Sequence, residues 1–405
     1  MSATTFDHLH ATTEARALAR RAVAFAPSVW QIIDDVLSRH PEAIYFGSGA
    51  PAREAIPLQR LQQAAATAWA GADGALDYGE VKGYWPLREL ISRRMAQQGM
   101  VVDPSQLLIT YGSQQGMDFV AKLMLDPHDL IVVEGPTYPG AMQAFDAYEA
   151  DYLTIPVDGE GLDVAALAAQ LDQIERTPKL IYTIPTFQNP SGITMSGDRR
   201  QELLALARAR NILVVEDDPY GELWCDAPPP PALRAYDPGV LYLGTFSKTI
   251  APGIRVGWLA APPDLIEPLT MAKEATDIVG NRIVTRTVYH AAEGFLDDHV
   301  VTARDIYRNH RDAMLAALDA EMPPGVAWSR PGGGFFVWLT LPDGIDAQSL
   351  LPFAADRGVA FLPGPWFYPN RDVRNTLRLS YSTKSAATIT DGIHRLATAI
   401  KEYAS

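Results

Sequence analysis

Between about residue 55 and residue 290 the chain alternates short, nearly unbroken apolar runs with helical stretches, and few architectures accept that pattern. The runs are Leu107–Thr110, Leu130–Val133, Asp151–Ile155, Leu180–Ile184, Ile212–Val215 and Val240–Leu243. Helical stretches such as Gly116–Leu125, Leu162–Leu171 and Asp198–Arg210 lie between several of them, and Gln59–Gly71 and Tyr84–Gln98 come before. A strand that is apolar at every position is buried on both faces, and the helices between such strands provide the cover. The fold class is therefore α/β, with a mostly parallel sheet. Beyond residue 295 long helices, Asp298–Asp319 and Ala386–Tyr403, surround short strands such as Gly334–Leu341 and Thr376–Tyr381, which reads as a smaller α+β domain. The Pro-rich stretch Ala227–Pro231 reads as a surface loop within the larger unit.

Charge and cysteine content remove several functions. Lys+Arg number 34 against 48 Asp+Glu, a formal charge of −14, which argues against a nucleic-acid partner because phosphate neutralisation needs clustered cations. The single cysteine, Cys225, excludes an intrachain disulfide framework and a Cys-rich zinc site, and no metal is expected. The first residues are polar throughout, unlike a signal peptide, and no apolar run reaches the roughly 18–20 residues that cross a bilayer. The expectation is a cytoplasmic protein without a membrane partner.

Four motifs carry chemistry. A strand runs into Gly244-Thr-Phe-Ser-Lys248, with Arg255 seven residues on. A desolvated lysine beside a second cation populates the neutral amine that attacks carbonyls. Hydroxyls at Thr245 and Ser247 with Arg255 would cradle a phosphate. Asp217-Asp-Pro-Tyr220 follows the strand Ile212–Val215, where open α/β sheets place their ligands. A carboxylate there can hold a heterocyclic nitrogen protonated, and the Tyr220 phenol can bond an adjacent oxygen. In Gln188-Asn189-Pro190, proline biases Asn189 toward an extended conformation and leaves its amide to donate. Thr110-Tyr-Gly-Ser-Gln-Gln-Gly116 joins a strand to a helix, and small residues at a helix start expose N–H groups to an anion. Each also has a plain reading: a surface lysine, a solvated acidic loop or N-cap, an Asn-Pro turn, and a turn that binds nothing.

Taken in order at successive strand ends, these motifs resemble the fold type I pyridoxal-phosphate enzymes, specifically the class I/II aminotransferases and most nearly their 2-aminoadipate/aromatic group. The resemblance runs from about Phe25 to Ala399. It implies an aspartate aminotransferase-like fold: a seven-stranded, mostly parallel sheet in a large cofactor domain over residues 46–295. An arm over residues 1–45 and residues 296–405 would build the small domain. It implies pyridoxal 5'-phosphate as cofactor, an amino acid and a 2-oxo acid as substrates, and a homodimer with shared active sites. Lys248 would form the Schiff base and shuttle the proton. Asp217 would pair with the ring nitrogen, Asn189 and Tyr220 with the ring's phenolic oxygen, and Tyr138 would stack on the ring. Ser113, Gln114, Thr245 and Arg255 would hold the phosphate, with Tyr78 reaching the neighbouring subunit's phosphate. Arg378 would clamp the substrate α-carboxylate, and Gly49, lacking Cβ, would let backbone approach the substrate.

Substrate choice departs from the pattern. Where 2-aminoadipate-type members carry an arginine on the first helix, Ala26-Pro-Ser-Val-Trp-Gln31 places Gln31. On that alignment a distal carboxylate would lose its usual partner, and Trp30 would make the mouth more apolar. Arg53 and Arg282 are candidates to replace that charge, against the plainer reading of surface or interface arginines. Two other functions share the frame. One is a pyridoxal-phosphate enzyme of another exit, by β-elimination, cyclisation or oxidation. The other is a non-catalytic effector-binding domain of the kind fused to transcription regulators, against which about 24 preceding residues are too few for a winged helix.

Overall fold

The computed structural model describes residues 19, 21–22, 29–71 and 74–404. Most of the N-terminal arm, including Phe25 and Ala26–Ser28, and the side chain of Trp30 lie outside the described residues. The central sheet has the strand order Leu107–Thr110, Gly257–Ala260, Leu241–Thr245, Leu213–Asp217, Leu180–Thr183, Leu130–Gly135, Asp151–Asp158, with the short Gly161–Leu162 closing a hairpin at one edge. The five strands from Leu241–Thr245 to Asp151–Asp158 run parallel, and Gly257–Ala260 is antiparallel to both of its neighbours.

Successive side chains of each strand enter different cores, which is why the runs read as continuously apolar. Ile131 and Val133, Leu180 and Tyr182, Val215, and Leu241 and Leu243 join one cluster with the helices Ser113–Met124, Pro139–Asp146 and Pro263–Asp277. Val132, Ile181 and Val214 join the opposite cluster, with Val164–Leu171 and Gly197–Ala209. Four of the predicted strands extend beyond their apolar runs: Leu213–Asp217 includes two acids, and Leu241–Thr245 carries on to the threonine. Gly257–Ala260 was not foreseen as a strand, because its glycine and its place just after the lysine loop mask the pattern. The helix Pro263–Asp277 contains Pro268, which hides it from a periodicity reading.

The smaller unit is a four-stranded antiparallel sheet, ordered Ala327–Trp328, Phe336–Thr340, Thr376–Ser380, Leu362–Pro363. It packs with Leu296–Glu321, Ala347–Ala355 and Ala386–Tyr403 around a core that includes Phe335, Leu377 and Ile393. Ile44–Tyr45 pairs in parallel with Val359–Ala360, so chain from both ends builds this unit.

One close approach fixes the helix that begins at Ser113. A Cβ on Gly116 would stand 2.7 Å from Leu243 Cδ2, so any larger residue must displace the Leu243 side chain where this helix lies on the sheet. Valine at this position would crowd Leu243 in the filled core between helix and sheet. A Gly116→Val variant should lose about 1–3 kcal/mol of stability in denaturant melts, the usual cost of overpacking a well-filled core.

Candidate active site

The carboxyl ends of the central strands and one strand of the small sheet enclose a cavity of about 280 Å³. Gly49, Ser113, Gln114, Tyr138, Asn189, Asp217, Tyr220, Thr245, Lys248, Arg255 and Arg378 all line it. Thus eleven of the twelve residues assigned to a site by sequence meet in one place, though they come from segments up to 329 residues apart. Tyr78 is the exception: it is 80% exposed and outside the cavity.

Lys248 Nζ lies in this interior and donates to the Gly49 carbonyl at 2.7 Å. Burial, aided by the cations Arg378 and Arg255, lowers its pKa to about 8 against a smaller opposing pull from Asp217. The amine therefore reaches its neutral form near physiological pH. Asp217 belongs to the strand end itself and is 2% exposed, not part of a solvated loop. Burial raises its pKa to about 7, and the hydrogen bond from Tyr182 opposes that rise. Asp217 Oδ1 is buried without a partner.

The helix Ser113–Met124 starts at Gly112, whose φ of 77° is left-handed and whose residue type provides no side-chain cap. A Cβ at Gly112 would stand 2.5 Å from Arg255 Nη2, so the glycine also makes room for that guanidinium against the helix start. Arg255 is fixed by donation to the Tyr111 carbonyl at 3.0 Å and reaches Ser247 Oγ at 3.5 Å. Thr245 Oγ1 donates to Ser247 Oγ at 2.9 Å. Gln114 Nε2 donates to the Gly140 carbonyl at 2.5 Å, which ties the helix start to the segment after Tyr138. Uncapped N–H groups, two hydroxyls and a guanidinium converge on one end of the cavity, and that set suits a phosphate.

Arg378 is 1% exposed, and the groups that act on its charge are the phenols of Tyr220, Tyr45 and Tyr138, with no carboxylate of the described residues among them. Its Nη1 donates to Asn189 Oδ1 at 2.7 Å and its Nη2 to the Gly47 carbonyl at 2.6 Å, leaving Nε buried and unpartnered. Asn189, expected to have its amide free, thus spends its oxygen on holding this arginine. Phe336 stacks on the guanidinium with 4.0 Å from carbon to ring centroid, and Phe367 flanks it at 5.1 Å. A buried guanidinium with only neutral partners is costly unless an anion completes it.

These groups fit pyridoxal phosphate on the structure's own terms. The orphan oxygen of Asp217 suits a protonated ring nitrogen, the helix start suits the phosphate, and Lys248 suits the carbonyl. Gln31 is exposed and Arg53 is exposed in a short 3-10 turn, and neither lines the cavity. Arg282 is spent elsewhere, donating to the carbonyls of Gly74, Asp77 and Tyr78. Ser247, read from the sequence as part of the phosphate cradle, lines the cavity as well. Sequence reasoning missed Phe336 and left Tyr182 without a role, and nothing local marks Phe336.

The family model for aminotransferases of class I and II matches residues 41–396. Over 369 residues the chain is 42% identical to aromatic-amino-acid aminotransferase 1 of Thermococcus litoralis, covering 89% of this chain and 88% of that protein. The crystal structure of the Pyrococcus horikoshii kynurenine aminotransferase in complex with PMP, KYN as substrates and KYA as products matches with a TM-score of 0.92 and 40% identity. That match covers 96% of this chain and 98% of the other. The α-aminoadipate aminotransferase of Thermus thermophilus, complexed with N-(5'-phosphopyridoxyl)-L-leucine, matches with a TM-score of 0.88 and 36% identity, covering 95% and 97% of the two chains.

The depressed pKa of Lys248 is directly measurable. In cofactor-stripped protein, modification of Lys248 by an amine-reactive reagent, followed by peptide mass spectrometry, should be half-maximal near pH 8 instead of the usual pH of about 10.4.

Proposed function

Since the chain belongs to the class I and II aminotransferases, pyridoxal-phosphate enzymes that move an amino group from an amino acid to a 2-oxo acid, we propose that its donors carry apolar, chiefly aromatic, side chains. One observation carries the reading: each cation lining the cavity already has a task. Lys248 is the reactive amine, Arg255 serves the phosphate end, and Arg378 awaits an α-carboxylate. A second carboxylate meets no further cation among the described lining residues, whereas Tyr138, Ile184, Tyr220 and Phe336 give an aromatic and aliphatic wall. The names of the aromatic-amino-acid and kynurenine aminotransferases agree with this choice.

When bound, pyridoxal phosphate supplies a carbonyl that condenses with amines and a protonated ring that draws electrons from the substrate α-carbon. The chain's own residues do the rest. Lys248 presents a neutral amine because burial and two arginines disfavour its charge. With a substrate amine bound, Lys248 Nζ would be free to accept a proton from the substrate α-carbon and to return it. Asp217 would hold the ring nitrogen protonated through its unpartnered oxygen. Arg378, held by Asn189 and Gly47, orients the α-carboxylate, and its burial makes that contact strong. Tyr138 and Tyr220 remain neutral because burial raises both phenols, so each can donate a hydrogen bond throughout the working pH range.

The same reading assigns a homodimer. Tyr78 stands 80% exposed beside Leu76 at 71%, on a loop whose carbonyls Arg282 gathers, which supports a loop built to meet a second copy. It also assigns the cytoplasm, supported by the lone, buried Cys225.

Phenylalanine or tyrosine as donor, with pyruvate or 2-oxoglutarate as acceptor, should yield 2-oxo acid and new amino acid in equal amounts by product analysis. Ammonia released without an acceptor would overturn transamination. A Lys248→Ala variant should lose both turnover and the borohydride-reducible visible chromophore. In sedimentation equilibrium the protein should weigh twice its 44.2 kDa chain mass.

A further inference from the structure

Strand Leu180–Thr183 lies parallel to Leu213–Asp217, with Tyr182 beside Val215. Because side chains alternate, Asp217, two residues past Val215, faces the same side of the sheet as Tyr182. An aromatic side chain spans such a diagonal. Here the phenol does so: Tyr182 Oη donates to Asp217 Oδ2 at 2.8 Å, and it is the only donor to that carboxylate among the described residues. The ring itself is fixed, fully buried and edge-on to Phe145 at 5.6 Å between centroids.

We propose that Tyr182 is a positioning residue for the cofactor: by occupying Oδ2 of Asp217 it orients the carboxylate so that Oδ1 stays free for the pyridine nitrogen of pyridoxal phosphate. This rests on the reading that the cavity holds that cofactor. The torsion that turns a carboxylate is broad and twofold, so geometry at Asp217 must come from a partner. The surrounding charges do not provide it. Asp218 and Glu134 bear the same sign as Asp217, Lys248 the opposite sign, and Tyr138 and Tyr220 are neutral phenols. Burial pushes the Tyr182 phenol well above its ordinary range, so it remains a donor at every pH of interest. Without that donor the acid of Asp217, already raised to about 7 by burial, would rise further. A protonated Asp217 cannot hold a protonated ring nitrogen, so cofactor binding, which falls as pH drops through this pKa, would begin to fail at higher pH.

The test is a Tyr182→Phe variant, which keeps the ring and its contact with Phe145. Titration of cofactor-stripped protein with pyridoxal phosphate should show a dissociation constant weakened about 10- to 100-fold, the range for a hydrogen bond to a charged group. The pH at which cofactor is half released should move upward. In an Asp217→Asn background the same substitution should alter the dissociation constant less than about twofold. Wild-type affinity in Tyr182→Phe, or an equal loss in both backgrounds, would overturn the positioning role. A wild-type protein that binds no pyridoxal phosphate would instead overturn the reading of the cavity, and this inference with it.

Discussion

Burial of the central sheet on both faces is the constraint from which the site follows. Val132, Ile181 and Val214 point into one core, and Ile131, Tyr182 and Val215 into the other, so the strand interiors have no room for an unsatisfied polar group. Polar chemistry is confined to the carboxyl ends, where helices begin and side chains can reach a cavity. Asp217 and Thr245 are the last residues of their strands, and Ser113 begins the helix that follows Leu107–Thr110. The buried Glu134 sits at such an end as well, and its charge is satisfied by Thr183, Gln188 and the Ile184 N–H. It thereby braces the loop that carries Asn189.

Electrostatics at those ends run against the whole molecule. A chain with a formal charge of −14 has to hold an anionic cofactor and a substrate carboxylate. Long-range attraction does not help, since it is screened within about 8–10 Å in salt. Local placement does the work. Arg378, Arg255 and Lys248 are mutually repelling cations in one low-dielectric cavity, and the repulsion has a use: it disfavours the charged lysine. Asp217 and Asn189 moderate it from opposite sides, one through charge and one through a hydrogen bond to Arg378.

Much of the fold was legible because its signal is local. Leu107–Thr110 could be bounded from its apolar run, and Ala386–Tyr403 from its helical periodicity. Gly257–Ala260 could not, since its identity as a strand depends on pairing with Leu107–Thr110 and Leu241–Thr245 on either side. The motif residues of the site were legible where several chemical types cluster in a few positions, as in Thr245, Ser247 and Lys248. Phe336 was not, because an apolar residue in an apolar strand looks the same whether it fills a core or stacks on an arginine. Tyr182 was not for a related reason: its partner lies 35 residues away on the adjacent strand. Arg282 could be weighed only between a substrate-side charge and a surface or interface arginine until its three carbonyl partners were known.

By itself, the sequence determined the alternation of strands and helices, the order in which reactive residues reach the strand ends, and the family to which that order belongs. These depend on residue types at short spacing, which the chain carries without reference to its folded partners. Tertiary structure alone decided which oxygen of Asp217 is free, that Asn189 serves Arg378, and that Lys248 loses its charge readily. Each of these depends on burial and on distances between segments far apart in the chain, and a pKa or a hydrogen bond is set by such surroundings, not by the residue's own identity.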